Sequence, residues 1–341
     1  MLASAFAALS IFAVGCSKAP EAAPTAAQTP PAANSVVRLD PALDAIIPAG
    51  GNVEKVAGPF KFLEGPLWRP NGVLWFSDLV GNVMYQWSPD GKVTEMLNPG
   101  GYDGHDLPAG GYIGPNGMAA GPDNTVALCQ HGNRRIVRLS SDAKVMGVIV
   151  DKFEGKRLNS PNDVVYAPDG SLYFTDPPFG LPKANDDPMK ELSFNGVFRF
   201  QKGKLTPVIK DLGMPNGIAF SPDHKILYIS NSEQNKRLWM KYDVNKDGSV
   251  SNGTVLFDAT SSPDTGVPDG MRVDTLGNIY AAGPGGIWIF SPDGKHLGTL
   301  KMTETPSNCA FGDDGKTLYI TAVTSVYRIK LNVAGEKPVY N

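Results

Sequence analysis

Residues 162–176, NDVVYAPDGSLYFTD, and residues 216–231, NGIAFSPDHKILYISN, are two copies of one pattern. Each opens on Asn, runs through a short apolar stretch, turns at Pro-Asp and resumes as an apolar strand. The turn is chemically specified, since Pro presets φ and Asp bonds the backbone two residues on. Working outward, the same unit opens at Glu64, Asn116, Asn162, Asn216, Asp269 and Asn308. Glu64 to Asn308 is 244 residues over five intervals, a mean period near 49. Seven residues after the first four lie Asn71, Asp123, Asp169 and Asp223, each preceded by Pro. Second strands are expected at 74–78, 126–130, 172–176, 227–231, 279–283 and 318–322, and third strands at positions such as 197–200 and 287–290. Six four-stranded units of this length describe an all-β protein, a six-bladed β-propeller. Residues 52–60 precede the first unit and are expected to supply the outer strand of the last blade, closing the circle.

Composition agrees with that architecture and removes others. The 341 residues include 38 Gly and 29 Pro, together about a fifth of the chain, where roughly 12 % is usual. So many helix breakers exclude a helical bundle. The glycines show no period of three, which excludes collagen. A 42 % hydrophobic content with a net charge of only −3 excludes a disordered chain. With pI about 5.8 nothing points to nucleic acid, and no protein partner is evident.

Residues 2–14 form an apolar run of 13, too short to span a bilayer and of export-signal length. It ends at Ala13-Val14-Gly15-Cys16, which resembles the lipobox of bacterial lipoproteins. The next 19 residues, 17–35, hold seven Ala and four Pro and have no apolar face to bury. The expected organisation is a signal peptide at 1–15, a tether at 16–35 lipidated on Cys16, and one propeller domain at 36–341. The mature protein would then be exported and held at the cell envelope by lipid alone. Cys129 and Cys309 fall in repeats that are not neighbours and read as buried strand residues.

The phase of the repeat carries the chemistry. In a propeller the start of each innermost strand rings the mouth of the central channel. The six repeats therefore aim Glu64, Asn116, Asn162, Asn216, Asp269 and Asn308 at one point. That ring holds two carboxylates and four amides and neither His nor Cys. Such oxygen donors suit a hard cation such as calcium, and two carboxylates balance its charge; zinc would want nitrogen or sulfur. The stretch Asp243-x-Asn245-x-Asp247-Gly248 matches half of an EF-hand loop. Its twelfth position is Thr254, where a bidentate Glu is required, so it reads as an outer hairpin.

Four motifs in order, Glu64-Gly65-Pro66, Asn159-Ser160-Pro161-Asn162-Asp163, Pro215-Asn216-Gly217 and Pro268-Asp269-Gly270, resemble the gluconolactonase family. That family is related to senescence marker protein and luciferin-regenerating enzyme. The resemblance spans roughly residues 52–332 and includes Thr175-Asp176-Pro177-Pro178-Phe179-Gly180. It implies hydrolysis of sugar lactones or related esters on a central divalent metal, usually calcium. By motif position Glu64, Asn162, Asn216 and Asp269 would be the ligands, with Asp269 also the base or nucleophile. Asn116, His131, Arg157 and His105 lie on the same face as candidate substrate contacts, near the two longest loops, 98–115 and 177–195. A small-molecule lactone is the expected partner. The competing functions are a non-catalytic envelope propeller with a structural metal, and phosphotriester hydrolysis on the same centre.

Overall fold

The computed structural model describes residues 34–107 and 111–340. The expected export signal, Cys16 and the expected tether up to residue 33 lie outside the described residues. Six antiparallel sheets of at least four strands follow one another around an axis, at 63–97, 115–150, 164–209, 215–258, 271–301 and 306–330. The second strands run Val73–Asp78, Val126–Gln130, Leu172–Asp176, Ile226–Glu233, Ile279–Gly283 and Thr317–Ala322, within two residues of the expected bounds. Strand Glu54–Ala57 pairs antiparallel with Ser325–Lys330, Glu54 opposite Arg328, so the N-terminal segment does close the sixth blade. Arg328 Nε donates to Glu54 across that seam.

Alternation along each strand explains why the blades stack. Successive side chains point to opposite faces of a sheet, and here both faces are covered by a neighbouring blade. Each of the six blade interfaces has its own apolar cluster: Trp75, Met118 and Leu128 join blades one and two, Phe174 and Cys129 blades two and three, and Leu63, Phe76 and Tyr319 blades six and one. Burying each such large side chain contributes about 1.5–3 kcal/mol. Cys129 and Cys309 are both free and buried in strands. The half EF-hand is a hairpin between Lys236–Val244 and Val250–Asp258, where Asp247 Oδ1 accepts from the Ser249 amide at 2.9 Å.

Two segments outside the repeats also belong to the fold. Strand Ser35–Arg38, starting one residue before the expected boundary, adds a fifth strand to blade five. The helical turn Leu43–Ile46 then buries Leu43, Ile46 and Ile47 against Tyr280 and Tyr327. At the other end of the chain, residues 333–340 cross the mouth of the channel opposite the ring. The Glu336 amide donates to Val273 O at 2.9 Å, and Tyr340 meets Tyr166 edge to face at 5.1 Å.

Candidate metal centre at the channel mouth

Local backbone chemistry places the ring residues. In blades one, two, four and six the inner strand carries a bulge at the ring position, at Glu64–Leu67, Pro115–Met118, Pro215–Ile218 and Pro306–Asn308. A bulge interrupts the ladder and re-aims a side chain. In four blades the next residue is Gly (65, 117, 217 and 270), and contact between blades explains it. A Cβ on Gly65 would lie 2.1 Å from Asn116 O, and one on Gly217 2.3 Å from Asp269 O. Hydroxyls link the rim from blade to blade: Ser77 donates to Asn116 O at 2.8 Å, Thr175 to Asn216 O at 2.6 Å and Ser230 to Asp269 O at 2.9 Å.

The side chains form a chain of hydrogen bonds through three blades and a separate pair between the last blade and the first. Asn116 Nδ2 donates to Asn162 Oδ1 at 2.8 Å, Asn162 Nδ2 to Asn216 Oδ1 at 2.6 Å, and Asn216 Nδ2 to Ser232 Oγ at 2.9 Å. Ser232 in turn donates to Pro268 O, 2.6 Å away and next to Asp269. Asn308 Nδ2 reaches Glu64 Oε2 at 3.3 Å. His131 is fully buried beside them, its Nε2 2.9 Å from Asn116 Nδ2 and its Nδ1 3.2 Å from Tyr112 O. Burial pushes its pKa down to about 4, so the ring is neutral. A backbone carbonyl can only accept, so the proton sits on Nδ1 and Nε2 accepts from Asn116.

The carboxylates are held under electrostatic tension. Burial, and then the Asp163 charge, push Glu64 up to about 8. Burial and the charges of Glu64 and Asp163 push Asp269 well above the usual carboxylate range. Asp163 is itself fully buried and raised by burial, with Arg272 Nη1 at 3.6 Å opposing that shift. Three acids thus share one desolvated region with a single guanidinium, which leans to Asp163.

This donor set fits a hard divalent cation. Among the described residues no three His, Cys, Asp or Glu side chains converge as a metal cluster, and the ring draws its remaining donors from amides. Each amide oxygen has two lone pairs, so Asn162 and Asn216 keep one after accepting from a neighbour. Asn116 Oδ1 is buried with no hydrogen-bond partner, a further amide acceptor left unsatisfied. Positive charge there would relieve the strain on Glu64 and Asp269.

The structure brings Glu64, Asn116, His131, Asn162, Asn216, Asp269 and Asn308 together. Arg157 is exposed and donates from Nη2 to Asn133 O at 3.3 Å, and His105 is exposed in the 98–115 loop; neither bonds to the ring. Sequence reasoning missed Asp163, Arg272 and Ser232. Asp163 was detectable, because it stands where four repeats have Gly. Missed too was the clamp at the end of each of several second strands. Asp176 accepts from the Asn159 and Ser160 amides at 2.8 and 2.9 Å, and Asp78 from those of Lys61 and Phe62 at 3.0 Å each. Each clamp fixes the loop that leads into its own inner strand.

Comparison with known proteins agrees with the fold. The family model described as SMP-30/Gluconolactonase/LRE-like region matches residues 62–324. A gluconolactonase of Zymomonas mobilis is 38 % identical over 314 residues, covering 88 % of this chain and 87 % of its own. The solved structure of a gluconolactonase from Xanthomonas campestris superposes with a TM-score of 0.76 at 30 % identity, covering 90 % of this chain and 99 % of its own. The structure of a regucalcin from Agrobacterium tumefaciens, described as a calcium-binding protein, shares the fold with a TM-score of 0.64 at 19 % identity, covering 86 % and 97 %. The chain belongs to the SMP-30/gluconolactonase/LRE-like family.

Proposed function

We propose that this lactonase opens sugar lactones, aldonolactones among them, with a divalent cation held by Glu64, Asn162, Asn216 and Asp269. The observation that carries the proposal is the pair of desolvated carboxylates, Glu64 and Asp269, set in a ring of amide oxygens. Calcium is the cation this all-oxygen set suits best. When bound it supplies Lewis-acid polarisation of the lactone carbonyl.

The chain's own residues supply the rest. The Gly270 amide donates to Asp269 Oδ1 at 3.0 Å, which leaves Oδ2 to take the proton of an attacking water. Direct attack by the same carboxylate is the alternative route. Neutral His131 fixes the orientation of the Asn116 amide beside the ligand set. Arg157 and His105 meet substrate at the outer edge. Lipidation of Cys16 would hold this activity at the envelope surface.

Acid release from a panel of aldonolactones, followed by pH-stat with and without chelator, tests the proposal. Chelator-sensitive release supports it; silence across the panel with tight calcium binding would mark a non-catalytic binding module.

The raised carboxyls make a second expectation. Glu64 titrates at an ordinary 4.5 when unfolded and at about 8 in the folded, metal-free chain. Protonated Glu64 therefore favours the folded state, and that contribution is lost as pH rises from about 5 through about 8. Calcium binds the ionised form, so its stabilisation grows over the same window. Melting temperatures with and without saturating calcium should diverge more at pH 8.5 than at pH 5.5. A calcium shift independent of pH would argue against Glu64 as a ligand.

A further inference from the structure

Beside the ring, on the same face, lies a cavity of about 480 Å³. Its walls include Phe62, Tyr112, Ile113, Phe179 and Leu181, with exposed Lys61 at its edge. Three of these walls hang on the ring's immediate support. Phe62 stands two residues before Glu64, its amide held by Asp78 Oδ1 at 3.0 Å. Tyr112 O lies 3.2 Å from His131 Nδ1. The Gly180 amide, next to Phe179, donates at 2.9 Å to Ser160 Oγ, two residues before Asn162. A Cβ on Gly180 would lie 3.0 Å from His131 Cβ, so this wall rests directly on the ring's histidine.

The chemistry of the walls differs from that of the ring. A sugar lactone presents hydroxyls on most of its carbons, and each must find a hydrogen-bond partner when it leaves water. The ring offers such partners; the cavity offers aromatic faces. Phe62 and Tyr112 sit 5.3 Å apart with their planes tilted by 48°, and Tyr112 is 45 % exposed. That spacing is the one aromatic pairs prefer, and a third ring beside them would cover the exposed face of Tyr112.

We propose that this cavity is a second substrate subsite that takes an aryl group carried on the lactone, so that the enzyme hydrolyses aryl-substituted lactones as well as sugar lactones. The proposal rests on the lactonase reading above. In the step, the oxygen of water bonds to the carbonyl carbon and the ring C–O bond breaks. The ring oxygen leaves with a proton as a hydroxyl, and the new carboxylic acid ionises, releasing one proton.

A matched pair of substrates isolates the aryl group: γ-phenyl-γ-butyrolactone against γ-butyrolactone, with δ-gluconolactone alongside. For the wild-type enzyme the kcat/KM ratio of phenyl to unsubstituted lactone is expected at about tenfold or more. Tyr112→Ala, at an exposed position, and Phe179→Ala should each bring that ratio down by about fivefold or more. A wild-type ratio of one or less, or a ratio that neither variant moves, overturns the subsite. If δ-gluconolactone is still hydrolysed in that case, the lactonase reading stands alone. No turnover of any of the three lactones overturns both.

Discussion

Asp269→Asn lowers kcat/KM for δ-gluconolactone by about 10²–10⁴-fold, the range that loss of a positioned general base produces. The fold survives the change. Asparagine keeps the shape and can accept the Gly270 amide now bound to Asp269 Oδ1 at 3.0 Å. It also removes one of the buried charges that raise each other, so the metal-free variant should melt no lower than the parent. Calcium binding weakens, because one of two anionic donors is gone, yet stays measurable through Glu64, Asn162 and Asn216. Recovery of turnover at saturating calcium would assign Asp269 to the cation alone. Persistent loss with the cation bound assigns it to the chemistry, and unchanged turnover removes it from both.

Gly65→Ala carries a large expected cost to stability. Gly65 has φ +50°, and a Cβ there would lie 2.1 Å from Asn116 O and 2.7 Å from the Asn116 carbonyl carbon. Those are backbone atoms of the next blade, so no rotamer change relieves the clash. Left-handed backbone costs about 1–2 kcal/mol for a residue with a Cβ, and overpacking typically adds about 1–3 kcal/mol. The sum, about 2–5 kcal/mol, lowers the melting temperature by on the order of 10 °C in a domain of this size. Gly72→Ala separates the two contributions, since Gly72 has φ +80° but nothing within 4 Å of a Cβ. It should cost only about 1–2 kcal/mol. Equal losses at the two sites would mean that blade-to-blade contact at the ring is not what Gly65 serves.

The parts of this molecule that repeat were legible in its sequence, because a repeat is a physical rule read several times over. The Pro-Asp turns marked the hairpins, short apolar runs marked the strands, and one shared phase placed Glu64 and Asp269 with the asparagines at the mouth. Features that occur once were not legible. Arg272 looks like any polar strand residue until blade five turns its guanidinium toward Asp163, 3.6 Å away. Ser232 gains its role from Pro268, 36 residues distant in the chain, and His131, whose place on this face was readable, gains its tautomer only from Tyr112 O, 19 residues away. The helical turn at Leu43–Ile46 and the tail at 333–340 belong to no repeat, and only packing against blades five and six, or across the far mouth, gives them a place. The aromatic cavity is assembled from four separate segments, whose composition shows no period.

Stepwise addition of calcium to chelator-treated protein, with acid release from δ-gluconolactone and calcium occupancy followed on the same sample, tests the metal-dependent lactonase most directly. Turnover should be absent without the cation, rise in proportion to occupancy of the channel site, and fail to rise in Glu64→Gln. Full turnover by protein shown to be free of metal, or calcium binding that leaves turnover unchanged, would refute it.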